Sequence, residues 1–276
     1  MPGTRIPKTL YITGGMSGLG KGLAAIYLAR GSDVAIFDLA VRDDVMAELA
    51  GHKSRHGQKL VAYQASVTEL EALQAAVAQA VETIGDPELA VNCAGLQRAA
   101  PFAQLSAADF ELVMRVNVFG SRNFADAVLP YLRPGARLAL VASMAGFAAN
   151  YSYAAYCASK FAVVGLGRVL RLELRPRDID VSIICPPEVD TPMVVEEAKT
   201  MHPVSRTLKD LGGTLSVEEA MKGIIDGLDA GRHVIIPGFK AKLTYFCNRY
   251  FPDFIMNGVV DRVVRSVLAR MNAGTA

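Results

Sequence analysis

The sequence predicts an α/β protein built on one doubly wound, seven-stranded parallel sheet with helices on both faces, a small lid and a helical C-terminal extension. Three observations carry this reading. From the N-terminus to about residue 185, short β-branched apolar runs alternate with longer helix-period stretches, as repeated βαβ units do. Several of the short runs are continuously apolar rather than alternating, which a parallel strand covered on both faces requires. No Ser/Gly linker, internal repeat or low-complexity tract divides the 276 residues, so one domain is favoured, and a hydrophobic content of 51% suffices for its core.

Taken in order, strands are expected over residues 9–13, 33–37, 60–64, 89–92, 137–142, 181–185 and 233–236. Ser106 with Asp109 three residues later resembles a capping box opening a helix that carries Leu112, Val116, Phe119 and Val128. A second long helix spans about 153–174 and stops near Pro176, whose ring cannot continue it. Residues 191–215 would form the lid, given an apolar side by Met193, Val194, Val195 and Met201 that faces a substrate or packs on the core. Residues 239–276 hold six basic and two acidic side chains, a local charge of +4, whereas the preceding 238 residues sum to −2. There Ile255, Val259, Val263 and Val267, with Met256, Val260, Val264 and Leu268 beside them, form a broad helical stripe opposite Arg262 and Arg265. Such a helix packs on its own or a sister subunit, or lies on an anionic membrane surface.

Composition excludes several classes. Apolar runs are strand-sized and far short of the roughly 20 residues that cross a bilayer. Residues 1–8 lack the apolar stretch of a secretion signal, so a cytoplasmic protein is expected, one that also reaches the inner face of a membrane if the extension binds there. Cys93, Cys157, Cys185 and Cys247 are widely spaced with no C-x-x-C pair, and the four histidines are scattered, so neither a disulfide framework nor a metal site is expected. A net charge of +2 without a Lys/Arg block gives no reason to invoke nucleic acid.

A glycine turn follows the first strand: Gly14, Met16, Ser17, Gly18, Leu19 and Gly20 lead into a helix pattern through Leu28. This is the Rossmann-type arrangement, in which backbone N–H groups and the positive helix end meet a pyrophosphate. The second strand is followed by Asp38, 24 residues past Gly14, where an acid hydrogen-bonds the adenosine ribose. A carboxylate there repels the 2′-phosphate of NADP, and no Lys or Arg stands at 39–41, so NAD is the expected cofactor. NADP is the alternative, with Arg42 as a candidate phosphate partner.

Tyr156 and Lys160 stand four apart on the second long helix and so project from one face. A phenol titrates near 10, and a fixed ammonium beside it would stabilise the phenolate and bring it into acid/base range. Lys160 would also hold the nicotinamide ribose. Ser143, after the fifth strand, sits where open parallel sheets place their sites and can hydrogen-bond a substrate carbonyl.

Together these residues resemble the short-chain dehydrogenase/reductase family over nearly the whole span from residue 9 to 236. The motifs are T-G-x-x-x-G-x-G at 13–20, N-x-A-G at 92–95, Asn117, Ser143 and Y-x-x-x-K at 156–160. The resemblance implies that Asn117 completes a proton relay through a water, that Asn92 braces the fourth strand, and that Ala94 and Gly95 line the adenosine side. It further implies that Pro186, the Val189 backbone and the Thr191 hydroxyl meet the carboxamide. Where the family usually carries an acid beside the adenine this chain has Ser66, leaving that contact to Ser66 and the Val67 backbone, and Pro187 replaces a usual glycine. The strings P-P-E-V-D-T-P and Y-S-Y-A-A-Y-C-A-S-K-F and the basic apolar tail look most like 3-ketodihydrosphingosine reductases and their bacterial relatives, which generally use NADPH.

The expectation is a domain over 1–238 with an extension over 239–276, acting as an oxidoreductase between a nicotinamide cofactor and a ketone or secondary alcohol. A long-chain apolar substrate is favoured over a steroid, sugar or short hydroxy acid, and catalysis over nucleotide sensing, since both Tyr156 and Lys160 are present. A homodimer or homotetramer is expected.

Overall fold

The computed structural model describes residues 6–190 and 201–274. Its main sheet contains β1 (Thr9–Thr13), β2 (Asp33–Asp38), β3 (Leu60–Gln64), β4 (Leu89–Asn92), β5 (Arg137–Val141), β6 (Asp180–Ile184) and, last in sequence, β9 (Val234–Ile235). The spatial order is β3-β2-β1-β4-β5-β6-β9, every neighbouring pair parallel. Each expected strand is present with its ends within one residue of the sequence reading. Chain order reverses between β1 and β4, and the crevice outside their C-terminal ends is where doubly wound sheets bind ligands.

Because side chains alternate across a strand, each strand feeds two cores. Leu10 and Ile12 face a layer made by α1 (Gly18–Ala29), α2 (Asp43–Ala50) and a later helix, α8 (Val217–Asp229). Tyr11, between them, faces the layer of α3 (Leu70–Ile84), α5 (Gly120–Val128) and α6 (Ala154–Leu174). There the rings of Tyr11, Phe37 and Phe124 meet in sequence in tilted contacts, centroids 5.7 and 6.4 Å apart.

The helix read from Ser106 is in fact three pieces. α4 (Ala107–Met114) gives way to a π-turn at Arg115–Phe119 before α5 begins. Only half of the capping box forms: Ser106 Oγ accepts from the Asp109 N–H, while the Asp109 carboxylate returns to the Ser106 hydroxyl instead of its backbone. The π-turn rotates the helix faces, so Leu112 and Phe119 are exposed rather than sharing the buried stripe with Val128. α6 ends as expected, passing through a single 3₁₀ turn at Arg175–Arg177 before Asp178 reverses the chain at φ 55°.

Beyond β6 a two-residue strand, β7 (Glu188–Val189), pairs in parallel with β8 (Thr214–Leu215) across the lid helix α7 (Pro203–Gly212). The first part of the expected lid, with Thr191, Met193, Val194 and Val195, lies outside the described residues. α8 opens on a complete capping box: Ser216 Oγ accepts from Glu219 N–H and Glu219 Oε2 accepts from Ser216 N–H, each at 3.1 Å. Ser216→Ala is expected to cost about 1 kcal/mol, read as a lower denaturant midpoint at unchanged slope; an unmoved midpoint would show that the cap contributes nothing.

The extension folds as α9 (Phe239–Tyr250) and α10 (Asp253–Gly274), and α10 packs on α7. Val267 is buried and Met256, Val260, Val263, Val264 and Leu268 are half-buried, while Ile255 and Val259 are exposed. The stripe expected through Ile255 and Val259 is therefore rotated towards Val260 and Val264. No helix among the described residues is long and apolar enough to cross a membrane.

Candidate active site

The glycine turn is shaped to receive an anion. Gly14 has φ +65°, and its N–H donates to the Phe37 carbonyl, tying the turn to β2. A Cβ on Gly14 would stand 2.9 Å from Ala94 N, and one on Gly20 would stand 2.1 Å from the Gly14 carbonyl oxygen, so neither position admits a side chain. α1 opens beyond it with no acid in its first turn and no side chain capping its N–H groups, leaving the positive end of its dipole uncompensated.

Asp38, at the C-terminal end of β2, accepts from the Met16 N–H at 3.0 Å through Oδ2 and from the Leu39 N–H at 2.8 Å through Oδ1. The carboxylate keeps lone pairs towards the cleft, whose wall it forms with Leu39, Ser66 and Val67. Arg42 pairs instead with Asp44 and stands off that wall. The Ser66 hydroxyl is engaged with Thr68 Oγ1 at 2.7 Å, so it shapes the loop after β3.

Gly14, Ser17, Gly18, Leu19, Gly20, Asp38, Ser66, Val67, Ala94, Gly95, Ser143, Tyr156, Lys160, Pro186 and Val189 all line one cleft of about 1060 Å³. Met16, Asn92 and Asn117 stand behind its wall. The Met16 side chain is buried against the α1 layer and only its N–H serves the site, through Asp38. Asn92 accepts from Thr13 Oγ1 at 2.6 Å and donates to Ser121 Oγ at 3.0 Å, while Thr13 Oγ1 accepts from the N–H groups of Cys93 and Ala94. This network pins the N-x-A-G segment to β1. Asn117, within the π-turn, grips Leu96 at both its N–H and its carbonyl and donates to Ser159 Oγ. All its side-chain bonds serve the loop after β4 and α6. Val189, expected to offer its backbone to the carboxamide, pairs with Leu215 in the β7–β8 ribbon.

Tyr156 and Lys160 face the cleft from α6, the ammonium 5.4 Å from the ring centroid. Lys160 Nζ donates to the Val141 carbonyl at 3.0 Å, and a Cβ on Gly95 would come within 3.6 Å of it and 3.4 Å of Asn117 Oδ1. Burial brings the lysine down to about 8 from its ordinary 10.5. Cys93 and Cys185, both coupled to it, are pushed by burial up to about 12 and remain neutral thiols. The expected lowering of the phenol by Lys160 is not what this geometry gives. Desolvation dominates and raises Tyr156 above 10, with the Ser143 hydrogen bond and the charge of Lys209 pulling the other way. Ser143 itself starts a 3₁₀ turn after β5, its Oγ accepting from the Ala145 N–H.

Lys209 and Glu188 also line the cleft, and the sequence reading singled out neither. Glu188 is nearly inaccessible, with Lys209 Nζ and Arg206 Nη2 each 2.9 Å from its carboxylate, which is held below the ordinary value by these lid cations and by Thr214 against its own desolvation. Lys209 Nζ also lies 5.0 Å from the Tyr153 ring centroid, and that ring packs edge-on against Tyr156. The ion pair thus fastens α7 to β7 beside Tyr153 and Tyr156. Part of the cleft wall comes from the extension, through Leu243, Cys247, Met256 and Val260 together with Thr244, Asn248 and Asn257.

A doubly wound sheet with a glycine turn at its switch point, a serine after β5 and a Tyr–Lys pair on α6 facing the same cleft is the arrangement of a dinucleotide-dependent oxidoreductase. Residues 8–202 match the short chain dehydrogenase model, and the chain belongs to the short-chain dehydrogenase/reductase family, oxidoreductases acting on CH–OH groups. It is 34% identical over 199 residues to oxidoreductase UcpA of Salmonella typhimurium, across 71% of this chain and 74% of that one. It is 32% identical over 224 residues to 3-dehydrosphinganine reductase of Danio rerio, across 78% and 67%. Among solved structures, a short-chain dehydrogenase/reductase of Serratia marcescens superposes with a TM-score of 0.73 at 26% identity, covering 85% of this chain and 98% of that one. The 3-oxoacyl-[acyl-carrier protein] reductase of Brucella melitensis in complex with NAD gives 0.74 at 23% identity over 87% and 98%, a likeness of fold.

Proposed function

We propose that this enzyme transfers a hydride between NAD(H) and a long-chain ketone or its secondary alcohol, 3-ketosphinganine-like or another lipid. The observation that carries the substrate class is the mixed lining of the cleft that holds Tyr156. Glu188 and Lys209 put an ion pair in the lining, and Leu112, Val116, Met256 and Val260 contribute to a lining that is otherwise predominantly apolar, with Gln97, Thr244, Asn248 and Asn257 among them. That lining suits an amphiphile with a polar head beside its carbonyl and a long tail. The similarity to a 3-ketodihydrosphingosine reductase and a 3-dehydrosphinganine reductase supports the same class.

When bound, the nicotinamide supplies the hydride for reduction and takes it in oxidation. The chain's residues do the rest. The Ser143 hydroxyl donates to the substrate carbonyl oxygen and holds it, and Tyr156 gives that oxygen its proton. Lys160 hydrogen-bonds the ribose and opposes the charge left on the phenol. Asn92 and Asn117 hold the loop after β4 in place. Thr191 is proposed to meet the carboxamide together with Pro186 and Val189.

The preference for NAD rests on Asp38, whose free lone pairs accept from ribose hydroxyls and whose charge opposes a 2′-phosphate. Asp38→Ala with Leu39→Arg is expected to move the preference towards NADP(H), measured as the ratio of the two dissociation constants; tighter NADPH than NADH binding by the wild type would refute the assignment. With the preferred cofactor, kcat/KM should rise along a series of 3-ketones of increasing chain length. A flat or falling series would remove the long-chain reading.

An exposed stripe on α6, Phe161, Val169 and Leu172, with Phe119 from the π-turn, supports self-association of copies as a dimer or tetramer. We read 1–238 as the catalytic domain and 239–276 as an extension completing the cleft wall, in a cytoplasmic protein.

A further inference from the structure

On α9, Phe239, Leu243, Phe246 and Tyr250 follow one another at i, i+4, i+7 and i+11, so they share one face, and all four are exposed. Phe239 and Tyr250 are 80% and 66% accessible, and Phe251 and Phe254, just past the helix end, are exposed as well. Lys240 flanks it on one side, Lys242 and Arg249 on the other, all exposed, and α9 contains no acid. The opposite face is anchored: Ala241 is buried and Tyr245 packs edge-on against Phe147 at 4.8 Å. The helix is therefore held firmly with an aromatic ridge turned outward between two rows of cations. Leu243 and Cys247 also line the cleft, so α9 borders it.

We propose that α9 docks the enzyme on an anionic lipid surface, with its aromatic ridge in the boundary between headgroups and acyl chains and its cations among the headgroups. Aromatic residues with basic flanks suit that layer, and clustered lysines and arginines are drawn to anionic leaflets. A second copy of the chain fits the face poorly, because α9 against α9 sets three cations opposite three with no acid between them. The docking surface stands on α9 alone. Its use in passing an amphiphile from bilayer to cleft rests on the long-chain reading given above.

The test is flotation of the full chain, without substrate, on vesicles of phosphatidylcholine alone and with phosphatidylglycerol added. Wild type should float with the anionic vesicles and release as salt is raised, since the surface charges are then screened. Phe246→Ser with Tyr250→Ser should lower the bound fraction at least about tenfold, and Lys240→Glu with Lys242→Glu should abolish the preference for anionic vesicles. NADH affinity and gel-filtration elution should stay at wild-type values in both variants. Wild type that floats with neither vesicle, or variants that float like wild type, would overturn the proposal. So would a Phe246/Tyr250 variant that changes oligomeric state, because the ridge would then be covered by a second copy. None of these outcomes bears on hydride transfer, which is read separately with a short water-soluble ketone.

Discussion

Tyr156→Phe is expected to bind NADH nearly as tightly as wild type while turnover falls by about 10²–10⁴-fold, the range lost with a missing general acid. The substitution keeps the ring that packs against Tyr153 and removes only the hydroxyl hydrogen-bonded to Ser143. Binding affinity and rate thus separate in this variant. Turnover within tenfold of wild type would exclude Tyr156 as the proton donor.

Lys160→Ala should damage both quantities, because one ammonium serves ribose and phenol. Hydrogen bonds to a charged group contribute about 1.5–3 kcal/mol, so NADH affinity should weaken roughly 10- to 100-fold, alongside a rate loss of the order seen for Tyr156→Phe. A pH signature goes with it. Burial holds the lysine near 8, so it is charged below that value and loses its proton above it. NADH binding to the free wild-type enzyme should therefore weaken as pH rises through about 8, and the alanine variant should bind weakly with no inflection there. A wild-type affinity constant from pH 7 to 9.5 would show that the ammonium does not hold the cofactor.

The strands were legible because parallel strands buried on both faces leave continuous apolar runs, and the runs at 33–37 and 89–92 are observed as strands, buried along all of β4 and all but the ends of β2. The glycine turn, Asp38 and the Tyr156–Lys160 pair were legible because each function needs a fixed local spacing. What failed to show had no local pattern. Glu188 and Lys209 are 21 residues apart and meet only because α7 folds back over β7. The two-residue strands β7 and β8 are too short to carry periodicity. The π-turn at Asn117 shifts the helix faces by one residue, so a regular 3.6 period placed Phe119 inside when it is outside. In the extension, amphipathicity told which residues share a face and not what covers it. α10 turns part of its stripe onto the lid, and the uncovered apolar face falls on α9.

The central claim is hydride transfer to the carbonyl carbon of a long-chain ketone, with Tyr156 completing the alcohol. Its most direct measurement is the mass of the alcohol formed from a long-chain 3-ketone with NADH carrying deuterium on one or the other face of the nicotinamide C4. One of the two labelled forms should deliver a single deuterium to the carbinol carbon, and the other none, with product formation collapsing in Tyr156→Phe. An alcohol free of deuterium from both forms, or no alcohol at all from an enzyme that binds NADH, would contradict the account.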